Sequence, residues 1–324
     1  MPTGLAAQSE LATAPNTRII GALQKLQTLD QQLQEVGHRL TTANAVYCEP
    51  KSQGIGVLFH DINQYGDKIA AKAAFGFPTA LSVSAVVPGS PTHKAGLRTG
   101  DSLIAIDGTL VEDSPIRSEI AMEEKPAYQR LANIRALKKE TMADGEIELR
   151  VERDGVRQDL EIQTIAKCAS QFQITVDDDR NASADGEIVT ISSALAEYVQ
   201  SDDELAAIAA HELSHNLLKH RERLNAAKVN RGFFGQFGKS AGRVKQAEIE
   251  ADRLSIWLMV NAGYDPQAAI RFWTRYGKRY GKGIFSASTH YRWKKRVKLF
   301  EEEITKIAAT EHANGMRQPP LLLE

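Results

Sequence analysis

The stretch AAHELSHNLLKH, centred on His211, Glu212 and His215, constrains this chain more than any other. Two histidines four apart on a helix differ by about 40° in direction, so both imidazoles reach one point. A tetrahedral zinc ion accepts such a pair and leaves room for a third protein ligand and a water. Glu212 lies at the edge of the same face, where a carboxylate can take a proton from that water. A helix is expected because Ser201-Asp202-Asp203-Glu204 has the form of a capping box with added acid in the first turn. Leu205, Ile208 and Ala209 supply an apolar stripe, which predicts a buried helix. The competing reading is a surface helix with two unrelated histidines, and the cap and stripe argue against it.

A third ligand is needed. His220 lies nine residues after His211, half a turn around a continuous helix, and no glycine stands between Asn216 and Lys219 to break it. His220 is therefore expected on the opposite face, partly exposed at the helix end. The segment QAEIEADRLSIWLM offers Glu248, Ala251 and Asp252 as ExxAD on a second helix. Glu248 is expected to close the metal sphere, and Asp252 to hold a ligand histidine by its distal N–H. Glu250 is expected on a solvated acidic face. The cofactor expected is one zinc ion (Zn2+) per chain, on His211, His215 and Glu248.

HELSH followed by ExxAD resembles the gluzincin peptidases of metallopeptidase family forty-eight. The resemblance extends upstream to NASADGEIVTISSAL and downstream to Thr289-His290 with Arg296, although Tyr291 stands where the family has proline. It implies that Asn181 and Ala182 sit on a β-ribbon bordering the cleft, whose edge pairs with an extended substrate backbone. Turn chemistry is the alternative for this asparagine. It also implies that His290 donates to the oxyanion formed when water attacks the scissile carbonyl. Zinc ligation in a resting enzyme and interhelical packing are the other readings of His290. Arg296, like Asp252, is expected just behind the ligands. Between the two motif helices, NRGFFGQFGKSAGR reads either as a glycine-hinged lid or as a surface loop.

From Gly54 the character changes to short strands. VSAVVPGSPTHKAGLRTGDSLIAIDGTLV resembles a PDZ domain of the HtrA type, which implies that a peptide adds as a strand at a sheet edge. Gly96 is expected to cap a short helix, and Asp107-Gly108 and Asp154-Gly155 to turn hairpins. Ile55, Gly56 and Val57 look like the loop and strand that receive a ligand's C-terminus, with residues 60 to 79 as an insertion. A spacer domain without ligand is the alternative.

With 324 residues, 42% apolar and 25% charged, the chain is long enough for two domains. A net charge of −1 with dispersed basic residues gives no electrostatic case for nucleic acid. KRYGKG and YRWKKRVK read as solvated helix faces, with contact to an acidic membrane surface as the alternative. No run of about twenty apolar residues occurs, so no transmembrane segment is expected. The first residues lack a signal-peptide pattern, which leaves a cytoplasmic protein or one whose leader is absent from the sequence. From Thr17, Leu23, Leu26, Leu33, Val36 and Leu40 predict an amphipathic helix. Cys48 and Cys168 bracket the PDZ-like module, and the ends of a compact domain often lie close together. Either a disulfide staples its base or both remain reduced thiols. The bracket favours an oxidising compartment, hence the periplasm or cell envelope, with the cytoplasm as the alternative.

The expected fold class is α+β. Residues 1–45 form a tail and amphipathic helix, and 46–168 a PDZ β-sandwich or barrel module. A mainly helical gluzincin metallopeptidase domain with a small β-ribbon follows over 169–310, then a flexible tail over 311–324. The expected activity is zinc-dependent hydrolysis of peptide bonds in polypeptide substrates, misfolded or envelope proteins, with Glu212 as base. The alternative is a PDZ-tethered chaperone or scaffold with a latent or inactive zinc site.

Overall fold

Two separate apolar cores organise the computed structural model, which describes residues 15–111, 126–229, 238–280, 293–310 and 316–322. The architecture is mixed α+β, with a PDZ-like sheet region followed by a helical domain. Helix α1 (Thr17–Ala43) starts at Asn16, whose side chain accepts from the Arg18 and Ile19 amides. Its buried stripe of Leu29, Leu33, Val36 and Leu40 packs into the second core, so the chain itself covers this face. Gly37 permits the closest approach, since a Cβ there would lie 2.3 Å from the Phe172 ring.

A neck follows α1. Strands β1 (Lys51–Gly54) and β8 (Ile165–Cys168) pair antiparallel, and Cys48 is disulfide-bonded to Cys168 with Cα atoms 5.2 Å apart. Between the neck strands, β2 (Val57–Asp61), β3 (Leu81–Val86), β4 (Ser102–Ile106), β6 (Glu146–Arg153) and β7 (Val156–Gln163) form an antiparallel sheet in that order. Strand β5 (Thr109–Leu110) pairs with β4. Asp107-Gly108 and Asp154-Gly155 take positive φ at both positions, as two-residue hairpins of the primed type require. Helix α3 (Pro91–Lys94) ends at Gly96, whose φ of 85° only glycine adopts freely. Helix α4 (Pro126–Thr141) lies against β2, an outer strand of this sheet among the described residues.

The 60–79 insertion carries α2 (Lys68–Phe75), which packs on α1. Three glutamines of α1 then bind backbone on both sides. Gln27 Nε2 donates to Ser84 O at 3.1 Å, Gln31 Nε2 to Val86 O at 2.8 Å and Gln34 Nε2 to Phe172 O at 2.8 Å. Ser84 is skipped where the β2–β3 register shifts, so its carbonyl is left for the helix.

In the second half, β9 (Gln171–Thr175), β10 (Ala182–Ala184) and β11 (Ile188–Ser192) form a sheet ordered β10-β11-β9. The expected two-strand ribbon is β10–β11 only. Strand β9 runs parallel to β11, because the chain crosses to the far edge of β11 before turning back. Helices α5 (Ser193–Ala196), α6 (Asp202–Leu217), α7 (His220–Ala226), α8 (Gly238–Asn261), α9 (Gln267–Tyr280) and α10 (Trp293–Ala309) complete the core. Of the C-terminal residues expected to fray, the described 316–322 are pinned instead. Asn261 exchanges two hydrogen bonds with the Arg317 backbone, and Leu321 and Leu322 pack on the helical core. Among the described residues, no helix is long and apolar enough to cross a membrane.

Removing the staple by Cys48→Ala/Cys168→Ala opens a loop closed over a sequence separation of 120. Stability should fall by about 4–5 kcal/mol in the chain-entropy model, read as a lower urea midpoint; an unchanged midpoint would refute it. A second test is acid-dependent. His60 is buried, stacks on Phe77 at 4.3 Å and meets the Tyr65 hydroxyl through Nδ1 at 2.9 Å. Burial pushes its pKa down to about 3. A histidine depressed on folding stabilises above its unfolded pKa and loses that contribution as pH falls from about 6.5 towards 3. Between pH 7 and 5 the unmutated protein should therefore lose about 2 kcal/mol more than His60→Gln in urea unfolding. Parallel losses in the two proteins would show that His60 does not carry this dependence.

Candidate active site

Helix α6 is capped at Ser201, whose hydroxyl accepts from the Glu204 amide at 3.3 Å. The reciprocal half of the expected capping box is missing. Arg275 grips both Glu204 oxygens at 2.6 Å, and the same carboxylate accepts the Gln200 amide at 2.9 Å. A bidentate guanidinium outcompetes the single Ser201 amide. Beyond the cap, Ala206, Ala207, Ala209, Ala210 and Leu213 are all buried, so α6 runs through the core instead of along the surface. Short side chains on such a helix allow neighbouring backbones to close in, and α8 lies alongside it.

That packing gathers three donors. His211 Nε2 and His215 Nε2 are 3.2 Å apart, and the Glu248 oxygens lie 3.6 Å from each. One ligand atom from each residue falls within 4.8 Å of the others, with His211 and Glu248 buried. Two imidazoles and a carboxylate converging in this way suit a cation that takes mixed nitrogen and oxygen donors. Behind them, Asp252 Oδ1 lies 2.8 Å from His211 Nδ1. Arg296 Nε donates to Asp252 Oδ2 at 2.6 Å, and its guanidinium covers the Trp273 ring at 3.8 Å.

The charges oppose one another. Burial and Arg296 both lower the His211 pKa, but Asp252 and Glu248 outweigh them and hold it up at about 9. Burial would raise the Asp252 carboxyl, yet Arg296 and His211 keep it below the ordinary range. Burial pushes His215 down to about 3, with His211 adding to the effect. His215 is thus a neutral imidazole with a lone pair to offer.

Glu212, on α6 beside His211, is half-buried. Strand β10 packs along α6 and is one of the two outer strands of its sheet among the described residues. Ala182 pairs with Ile191 on β11, and the exposed Asn181 is held by its amide to Ser192 Oγ at 3.0 Å. His290 and residues 230–237 of the glycine–phenylalanine stretch lie outside the described residues. A cleft of about 1410 Å³ is lined by Ile55, Gly56 and Val57 on one side and by Asn216 and Lys219 on the other.

Two expectations fail together. His220 is not an exposed residue on the far face, and Glu250 is not a solvated carboxylate. Helix α6 stops at Leu217, Lys219 turns to φ 52° and ψ 38°, and α7 begins at His220. The continuous-helix count therefore no longer applies, and His220 swings beneath His215. It is 2% exposed, with Nδ1 2.9 Å from His215 Nδ1 and Nε2 3.1 Å from Glu250 Oε2. Glu250 also takes Arg223 at 2.8 Å and Gln246 at 3.0 Å. No glycine marks the break, because a lysine accepts the left-handed conformation at a modest cost.

The buried Asp252–Arg296 pair yields a prediction. Arg296→Met keeps the apolar stem against Trp273 but leaves the Asp252 charge with less compensation. It should cost about 3 kcal/mol in urea unfolding, most of it restored in Arg296→Met/Asp252→Asn. Equal losses in the single and double variants would show that the pair is not coupled.

A PDZ domain model matches residues 82–121, and a model of peptidase family M48 matches residues 163–238, a span holding His211, Glu212 and His215 but ending before Glu248. The chain is similar to the mitochondrial metalloendopeptidase OMA1 of Schizosaccharomyces pombe, at 32% identity over 32% of this chain and 37% of that protein. It is also similar to the beta-barrel assembly-enhancing protease of Yersinia pestis, at 31% identity over 31% of this chain and 27% of that protein. The chain thus spans 37% of the first relative's length and 27% of the second's. The two domain matches, in this order along the chain, and the similarity to the beta-barrel assembly-enhancing protease support a PDZ-containing M48 metallopeptidase.

Proposed function

We propose that this protein is a zinc-dependent metalloendopeptidase acting on polypeptides, misfolded or envelope proteins among them. The observation that carries the reading is the convergence of His211, His215 and Glu248, from two packed helices, with Glu212 on the same helix as the histidines. Those three residues would hold one zinc ion, which when bound supplies Lewis acidity towards a water and a scissile carbonyl. Glu212 takes a proton from the attacking water and delivers it to the leaving amine. Asp252 accepts the Nδ1 proton of His211 and keeps its Nε2 turned to the ligand cluster, and Arg296 keeps Asp252 ionised. The outer edge of β10, beginning at Asn181 and Ala182, pairs with the extended substrate backbone. His290 is proposed as a donor to the developing oxyanion.

The PDZ domain selects or positions the polypeptide. Its outer strand β2 with α4 alongside supports strand addition, and Ile55, Gly56 and Val57 are the proposed seat of a peptide C-terminus. The disulfide supports an oxidising compartment, hence the bacterial periplasm or cell envelope.

Metal content and casein cleavage, compared between the unmutated protein and Glu212→Gln, test this reading. One zinc per chain in both is expected, with cleavage lowered by at least about 100-fold in the variant, as for loss of a general base. Zinc without cleavage in either would favour a scaffold, and a folded, metal-replete sample without zinc would overturn the proposal.

A further inference from the structure

His220 and Glu250 take no part in the ligand set, yet the buried His220 and the half-buried Glu250 stand in one hydrogen-bonded line leading to it. The line runs from Arg223 and Gln246 to Glu250, on to His220 and from there to His215. Its proton positions follow from donor and acceptor chemistry. A carboxylate only accepts, so Glu250 requires the His220 proton on Nε2, 3.1 Å away. With that proton placed, a neutral His220 presents a lone pair at Nδ1, and the contact at 2.9 Å is then a hydrogen bond only if His215 Nδ1 donates. The His215 proton is then on Nδ1, and its Nε2 lone pair faces His211 and Glu248. Each assignment forces the next.

From this geometry we infer that His220 and Glu250 are positioning residues that fix the tautomer and ring orientation of His215 for metal binding. The inference rests on the zinc reading of the site. It gives the two histidine ligands different supports: Asp252 acts on His211 directly, whereas Glu250 acts on His215 through a second imidazole. The break at Lys219 has a purpose in this scheme, since a continuous α6 would carry His220 away from His215. A glutamate two positions after Glu248 lies on another side of α8 and reaches the site only because α7 brings His220 to it.

The test is zinc affinity, measured by competition with a chromophoric chelator on protein shown to be folded by near-ultraviolet circular dichroism. Full-length unmutated protein, His215→Ala, His220→Phe, His220→Asn and Glu250→Ala are compared. His220→Phe keeps an aromatic ring in the packing but removes the acceptor, and should weaken zinc binding by about 10–100-fold. His220→Asn places an oxygen near the position of Nδ1 and should recover most of that loss, which a role in packing alone would not produce. Glu250→Ala should weaken binding in the same direction and decides the matter if His220→Phe does not fold. Independently, nitrogen-15 histidine spectra of the zinc-loaded unmutated protein should show His215 protonated at Nδ1 and His220 at Nε2. Unmutated affinity in folded His220→Phe, or in Glu250→Ala if the former does not fold, overturns the inference, as does a His220 proton on Nδ1. Loss of zinc in His215→Ala alone leaves the zinc reading standing when that happens. Absence of zinc from the unmutated protein overturns both.

Discussion

The packing of α6 against α8 is the contact on which the rest of the molecule depends. Helix α6 contributes two imidazoles and α8 contributes Glu248, Glu250 and Asp252. Their convergence requires two backbones to approach closely, and the run of buried alanines on α6 makes that approach possible. The same closeness crowds acidic groups against histidines inside a core. The fold answers with cations placed behind the carboxylates: Arg296 on Asp252 and Arg223 on Glu250. Each carboxylate thereby stays ionised and acts as an acceptor. Behind His211 stands Asp252, and behind His215 stands His220 with Glu250 beyond it.

The PDZ sheet is tied to this core by more than its covalent ends. Helix α1 lies between them, buries its leucines in the helical core and spends three glutamine amides on backbone carbonyls of β3 and β9. The insertion helix α2 packs on the same α1, and the disulfide closes the neck below. Strand β2 therefore stands at a defined position relative to the helical core. The shared cleft, with the PDZ loop on one wall and the end of α6 on the other, follows from that arrangement.

Much of this was legible from residues alone. HELSH and ExxAD have period and chemistry enough to point to a helix pair with converging donor side chains. Asp-Gly pairs at 107–108 and 154–155 announce hairpins because few other residues accept positive φ twice in succession. The stripe of α1 and the disulfide bracket likewise follow from spacing, although spacing left open whether the two thiols were joined. In two of the failures a local rule was overruled by a distant partner, and in the third a helix ended without its usual signal. Arg275 withdrew Glu204 from its capping box, Asn261 pinned a segment that looks frayed, and Lys219 broke a helix without glycine.

Residue order alone carries the kinds of side chain present: two histidines and a glutamate spaced as possible metal donors, a carboxylate beside them, and a strand-rich module ahead. Those follow from side-chain identity and from helical or strand period, which are properties of short stretches. Only the tertiary structure decided the surroundings of the site. Whether Glu250 meets water or His220, and whether His220 faces away from His215 or bonds to it, depends on a single left-handed residue and on where α7 comes to rest against α8. Backbone direction after a helix end is set by packing free energies summed over the whole core, and no local pattern encodes that sum.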